Sequence, residues 1–305
     1  MSTGATVPSA TIERSLPERA WKWLREHAIT IYGALAIAYM LIPIAVIIAF
    51  SFNNPAGKYN FTWEGFTLDS WLHPFEITEL TDAMVLSIEL AALATIASTA
   101  IGTFLAIALV RYQFLGRRAS NFLIVIPMAT PEVVIGAALL SMFLLYGVSP
   151  GFNTLFIAHV MFSISFVVVV VRSRLIGFDR SLEEAARDLG ADAFTTFRTV
   201  TLPLLAPGII AAAMLAFALS IDDFVISNFN SGTTVTFPLY IFGASQRGIP
   251  VQVNVLATML FAITILAMLF TVIQQRRAER MAAMRPEQEQ ELAATMALAP
   301  GQGRA

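Results

Sequence analysis

No cysteine occurs among the 305 residues, which removes disulfide frameworks, cysteine zinc sites and thiol nucleophiles and leaves no thiol from which to read a compartment. Charge is scarce as well. Asp, Glu, Lys and Arg make up 13% of the chain, against about 25% in soluble domains. Lysine occurs only as Lys22, between two tryptophans, and Lys58, in Gly57-Lys58-Tyr59, so the Gly-Lys-Ser/Thr ending of a phosphate-binding loop is missing. The three histidines, His27, His73 and His159, form no His-Glu-x-x-His pair and no metal cluster by spacing. Neither catalysis, nucleotide hydrolysis nor a bound cofactor is expected of this chain, and His159 reads as a hydrogen-bonded packing residue.

Apolar side chains are what the sequence has in abundance, at 57% with a mean hydropathy of +0.71. The chain is expected to be an all-α, polytopic membrane protein. Six apolar stretches reach the roughly 20 residues needed to cross a hydrocarbon core, at 29–50, 83–110, 120–146, 153–171, 206–226 and 251–273. An even number of crossings puts both termini on one face.

The basic residues say which face. Arg14, Arg19, Lys22 and Arg25 precede the first span; Arg111, Arg117 and Arg118 fall between spans two and three; Arg172, Arg174, Arg180, Arg187 and Arg198 lie between spans four and five; Arg276, Arg277, Arg280, Arg285 and Arg304 follow the last. Only Lys58 and Arg247 remain for the other side, so the positive-inside rule makes the first face cytoplasmic. The expected organisation is a cytoplasmic arm (1–28), a six-helix membrane domain (29–273) with a cytoplasmic loop at 172–205, and a cytoplasmic tail (274–305). The first 28 residues are polar and lack the pattern of a cleavable signal. Residues 1–15 and 285–305, rich in Pro, Ser, Gln, Glu and Ala, are expected as mobile tails.

Acids within the spans are the unusual component. Glu89 in span two, Glu132 in span three, and Asp222 and Asp223 near the end of span five each cost about 2.5–3.5 kcal/mol on insertion scales if they meet lipid, so they are expected to face protein or water. Pro127 and Pro131 interrupt span three beside Glu132. On straight helices, Glu132 stands roughly 18 Å along its span and the aspartates roughly 24 Å along theirs. Adjacent positions point about 100° apart, so one aspartate is expected to line a path while the other meets a subunit or caps an irregular segment. The outer loop at 51–82 carries Glu64, Asp69, Glu76, Glu79 and Asp82 against Lys58; a solvated surface and the steering of a cation both account for these charges.

The long loop carries helical signals although it lies between spans. Ser181 with Glu184 three residues on has the spacing of a capping box, Leu182, Ala185, Ala186 and Leu189 follow helical spacing, and Gly190 supplies a stop. Asp192 is placed to cap a second short helix bearing Ala193, Phe194 and Phe197, and Pro203 opens span five. A capped surface helix explains Ser181 and Glu184 but leaves the longer spacing unexplained: Glu184-Ala185-Ala186, three residues, Gly190, nine residues, Val200, one residue, Leu202-Pro203.

That spacing resembles the EAA signature of ABC importer permeases, with Val200 in the usual Ile position. The resemblance implies the type I importer permease fold and a coupling helix in which Glu184, Ala185, Ala186, Arg187, Gly190, Leu202 and Pro203 serve contact with a separate ATPase. A narrower likeness, to the second permease subunit of spermidine/putrescine importers, rests on Met128-Ala129-Thr130-Pro131-Glu132, Ser220 to Ile226, Ser231-Gly232 and Gly248 to Thr258. Phe237-Pro238 stands for the more usual Leu-Pro and Gln252 for a common Glu. The likeness implies two ATPase subunits, a related but different sister permease, an extracytoplasmic binding protein, and a polyamine path using Asp222, Asp223, Glu132 and Glu89. Import of an iron chelate, a phosphonate or an opine is the alternative within the superfamily; a channel or secondary transporter without an ATPase is the alternative outside it.

Overall fold

A computed structural model describes residues 16–177 and 179–298, with side chains for 27–274 other than 178 and for Arg276. Residues 1–15 and 299–305 of the expected tails lie outside it, as do the side chains of the basic residues in the arm and, apart from Arg276, in the tail. Among the described residues every regular element is helical. Five helices are long and apolar enough to cross a membrane, and the count reaches six when the bent pair at 117–129 and 132–145 is taken as one span.

The chain divides into two compact units. The first contains α1 (Leu16–Phe50), residues 63–71 with the start of α2 (Asp69–Leu72), and the chain from Asn254 onward. In it the segment after α1 is tied down by backbone pairing of Asn53 with Phe66 and by Asn53 Oδ1, which accepts the Glu64 N–H at 2.9 Å. Phe52 stacks on Phe66 and on Trp71, with ring centroids 5.7 and 5.3 Å away, and the Trp71 indole donates to Ser51 Oγ at 3.2 Å.

The second unit contains α3 (Thr78–Arg111), α4 (Arg117–Ala129), α5 (Glu132–Leu145), α6 (Phe152–Ile176), α7 (Ser181–Asp188), α8 (Ala193–Thr196), α9 (Leu202–Ile221), α10 (Val225–Asn230) and α11 (Phe237–Arg247). Its frame is the mutual packing of α3, α6 and α9. Small residues make this contact close: Ala91, Ala94, Ser98, Gly102 and Ala106 recur at three- and four-residue spacing and are all buried, the pattern that lets helices pack without a hydrophobic drive between them in lipid. A Cβ on Gly102 would stand 2.6 Å from Val167 Cγ1. Leu109, Val167, Val171, Leu205, Ala212 and Ala216 complete the buried seam.

Span three is not straight. Thr130 has the extended backbone that a following proline favours, Pro131 opens α5, and α4 and α5 meet at 112°. The first half packs on α6, and the second on α10 and α6. Leu139, Phe143, Ala158, Phe162 and Ile226 fill the second contact.

The candidate first and last spans, His27–Phe50 and Val251–Gln274, match the expected 29–50 and 251–273, but their helices run beyond them: α1 begins at Leu16, and α12 (Val251–Leu298) continues through residues 285–298, expected as a tail; the Ala, Met, Gln and Glu of that stretch are good helix formers. Span five ends at Ile221, not 226, and its helical run starts earlier, at Ala193, passing through a π-turn (Phe197–Thr201). There the Leu202 N–H reaches the Phe197 carbonyl, a wider turn directly before Pro203, whose missing N–H and ring disfavour a regular ladder.

Candidate functional site

Two places gather the chemistry that the sequence singled out: the loop helix α7 with its surroundings, and the break between α9 and α10.

The α7 helix begins without the expected capping box. Arg180 occupies the N-cap with no side-chain bond there, and the Ser181 N–H donates instead to Asp179 Oδ1 at 2.9 Å. The bond holds the exposed Asp179 carboxyl below its ordinary range. The stop at Gly190 is formed in full: the Ala191 N–H bonds the Ala186 carbonyl at 3.0 Å and the Gly190 N–H bonds that of Arg187 at 2.9 Å, with Gly190 at φ +89°, a left-handed closure suited to glycine. Asp192 caps α8, accepting the Thr195 N–H at 2.7 Å.

Of the signature residues, Glu184, Ala185, Arg187, Gly190, Leu202 and Pro203 are exposed and Ala186 is half-buried. Leu182, Leu189 and Phe194, expected on an apolar side, are 49%, 90% and 69% exposed. The apolar face of α7 is therefore displayed rather than packed inward.

Its attachment uses a residue that the sequence reading passed over. Glu183 is buried. One carboxylate oxygen accepts from Arg111 Nη1 at the end of α3, and the other from the Thr201 hydroxyl in the π-turn. Burial raises the carboxyl's pKa, but the Arg111 and Thr201 bonds and the charges of Arg111 and Arg187 outweigh it, leaving Glu183 below the ordinary carboxylate range. In the sequence Arg111 reads only as a topological charge just after span two; the structure extends the helix to make it the last residue of α3.

At the second place the two aspartates separate. Asp222 is the C-cap of α9 and is exposed. Asp223 is buried, and its carboxylate accepts the N–H groups of Ile226 at 3.3 Å and Ser227 at 2.7 Å, holding the start of α10. His159 on α6 is 3% exposed. Its Nδ1 lies 2.7 Å from Ser220 Oγ, its Nε2 3.0 Å from Ser227 Oγ and 3.5 Å from Asp223 Oδ2. One imidazole thus touches both sides of the helix break.

Glu132 is exposed on the first turn of α5, and α5 packs on α10, the helix that follows the aspartates. Glu89 is exposed on α3. Among the described residues no three His, Asp or Glu side chains converge on a metal position. Gly147-Val148-Ser149-Pro150-Gly151 has the spacing of a nucleophile elbow, yet it joins α5 to α6 with no strand leading into it and so lacks the context that chemistry requires.

A polytopic helical bundle that carries a short, strutted helix with an outward apolar face, and no nucleotide-binding loop, has the form of the membrane component of a transporter. Residues 98–281 match the binding-protein-dependent transport system inner membrane component, and the chain belongs to that family, the permease subunits of ABC importers.

Over 241 residues it is 36% identical to the spermidine/putrescine transport system permease protein PotC of Haemophilus influenzae, covering 79% of this chain and 93% of that one. Identity is 38% over 229 residues to PotC of Escherichia coli K12, at 75% and 86% coverage, and 35% over 234 residues to the putrescine transport system permease protein PotI of the same organism, at 74% and 83%. A bacterial ABC transporter involved in the import of the acidic polysaccharide alginate shares the fold, with a TM-score of 0.61 at 17% identity over 85% of this chain and 99% of that one. Members of this family are multi-pass transport subunits, not enzymes; ATP hydrolysis resides in a separate subunit, and an ATPase, a substrate-binding protein and a sister permease are their partners.

Proposed function

We propose that this chain forms half of the translocation path of an ATP-driven polyamine importer, its substrate a linear polyamine of the spermidine or putrescine type. The exposed carboxylates Asp222 and Glu132 carry the reading: Glu132 opens α5, and α5 packs on α10, which starts three residues after Asp222. A linear polyamine presents cationic amines along a flexible chain, and two exposed carboxylates offer them weak, exchangeable partners in place of water. The names of the PotC and PotI relatives support the same substrate class. Glu89 is a further carboxylate facing away from the chain's own packing, available to a path shared with the sister permease.

Coupling falls to α7. Its outward Leu182 and Leu189, with Glu184, Ala185, Ala186, Arg187 and Gly190, form a docking surface for the ATPase, and Leu202-Pro203 carries motion into span five. The full assembly pairs this chain with a different permease and two ATPase subunits, with both termini and α7 in the cytoplasm. The test is uptake of labelled putrescine and spermidine by the reconstituted complex, comparing the parent with Asp222→Asn, Glu132→Gln and Glu89→Gln. Asp222→Asn and Glu132→Gln should assemble and transport poorly. Parental uptake in all three variants would remove the carboxylate path, and a parent that moves neither polyamine would remove the substrate.

A further inference from the structure

An eight-residue helix is too short to persist alone in water, so the position of α7 comes from what holds it. Its leucines do not, since Leu182 and Leu189 face outward. The side chain of α7 that is buried is Glu183, 5% exposed, among neighbours Leu182, Glu184 and Ala185 that are exposed. Each of its oxygens has a separate partner: Oε2 takes Arg111 from the last turn of α3, and Oε1 takes Thr201 from the π-turn at the foot of α9. Local electrostatics favour the arrangement, with an acid in the first turn of α7 and a base in the last turn of α3, each complementing its helix dipole. Thr201 is 4% exposed, and the α3, α6 and α9 seam lies beyond it.

We propose that Glu183 is the positioning residue that fastens the docking helix α7 to two membrane spans at once, α3 through Arg111 and α9 through Thr201, so that a displacement of α7 is delivered to both. The neighbouring Glu184, the acid of the signature, points away and is left for the partner surface. This deepens the reading of α7 as the ATPase docking helix and rests on it. A carboxylate with two partners on two helices is a rigid three-way joint; with either partner removed, α7 remains tethered by loops that can absorb its motion.

The test uses the complete reconstituted complex. The cysteine-free chain allows spin labels at Tyr112→Cys and Asp188→Cys, both exposed positions. The parent should give one narrow label distance, broadened in Glu183→Ala and in Arg111→Ala. In the unlabelled complex each of these variants should lower labelled putrescine moved per ATP by about tenfold while the ATPase still copurifies, and the double variant should be no worse than either single one, because both cut the same link. Arg111→Lys, which keeps the charge, should retain most of the coupling, and Thr201→Val, close in shape, should lose part of it. A narrow distance with parental uptake in Glu183→Ala overturns the proposal, and so do losses that multiply in the double variant. Loss of the ATPase from Glu183→Ala also overturns it, by making the residue part of docking. A parent complex that moves no putrescine defeats the substrate reading alone, since the label distances still decide the joint.

Discussion

The imidazole of His159, two turns into α6, lies 2.7 Å from the hydroxyl of Ser220, on the last turn of α9. Its other nitrogen meets Ser227 across the helix break, so the geometry that presents Asp222 is set by a residue on a different span. Replacing His159 with leucine leaves two buried hydroxyls and the buried Asp223 without that partner, at about 1–3 kcal/mol for each group left unsatisfied. Thermal unfolding in detergent should show a clear loss of stability in His159→Leu and a smaller one in Ser227→Ala. An unchanged melting temperature in both would remove the clamp.

The adjacent aspartates should behave differently when each is made asparagine or alanine. Asp223→Ala removes the acceptor for two N–H groups at the start of α10 and should cost about 0.5–2 kcal/mol, as loss of a cap does. Asp222→Asn touches no such bond and should leave stability within about 0.5 kcal/mol while uptake falls. Equal melting temperatures for the two variants would contradict this division.

Gly190 stands in open space, with nothing within 4 Å of the position a Cβ would take, so any penalty there is conformational. At φ +89° a residue with a side chain pays roughly 1–2 kcal/mol for the left-handed backbone. Gly190→Leu should therefore loosen the end of α7 and reduce uptake, and Gly190→Asn, a residue that tolerates this region, should be milder. Similar uptake for the two substitutions would show that side-chain bulk at the docking surface, rather than the backbone, governs the position.

The sidedness of the chain can be read with single cysteines. Leu189→Cys, on an exposed position, should react with a membrane-impermeant reagent only after the cells are opened, and Gly65→Cys and Thr233→Cys should react in intact cells. Thr233 is preferable to Gly232, where a Cβ would lie 2.3 Å from the Pro150 carbonyl oxygen. Labelling at position 189 in intact cells would reverse the topology.

Much of this architecture was legible in the chain, for physical reasons that also explain the omissions. Hydropathy and length identified the spans because a bilayer imposes both, and Pro131 marked the break in span three because it forces Thr130 before it into extended backbone, whereas Pro127, expected to interrupt the span as well, lies inside α4. The size of the bend was not legible: it depends on what α4 and α5 pack against. The stop at Gly190 and the cap at Asp192 are local devices and were readable. The Ser181 cap was misread because Asp179, two residues upstream, competes for the same N–H. Glu183 escaped notice, and the bond made by Ser220 was not readable, because their partners, Arg111, Thr201 and His159, are distant in sequence, and no periodicity in one segment announces a bond to another.

The π-turn at 197–201 has a bearing on how the family can vary. It accommodates one residue more than an α-helical turn would hold, so a single deletion inside it can be absorbed by reverting to regular helix. Such a deletion would keep the helix unbroken and α7 in phase with α9, whereas a deletion in α8, which has no spare residue, would turn everything before it by about 100° relative to α9, swinging Glu183 away from Thr201 and the docking leucines toward a new quadrant. Chain length between Gly190 and Leu202-Pro203 is therefore a phase setting with one spare residue, in the π-turn, and indels elsewhere in that interval should be far less tolerated than substitutions at its exposed positions.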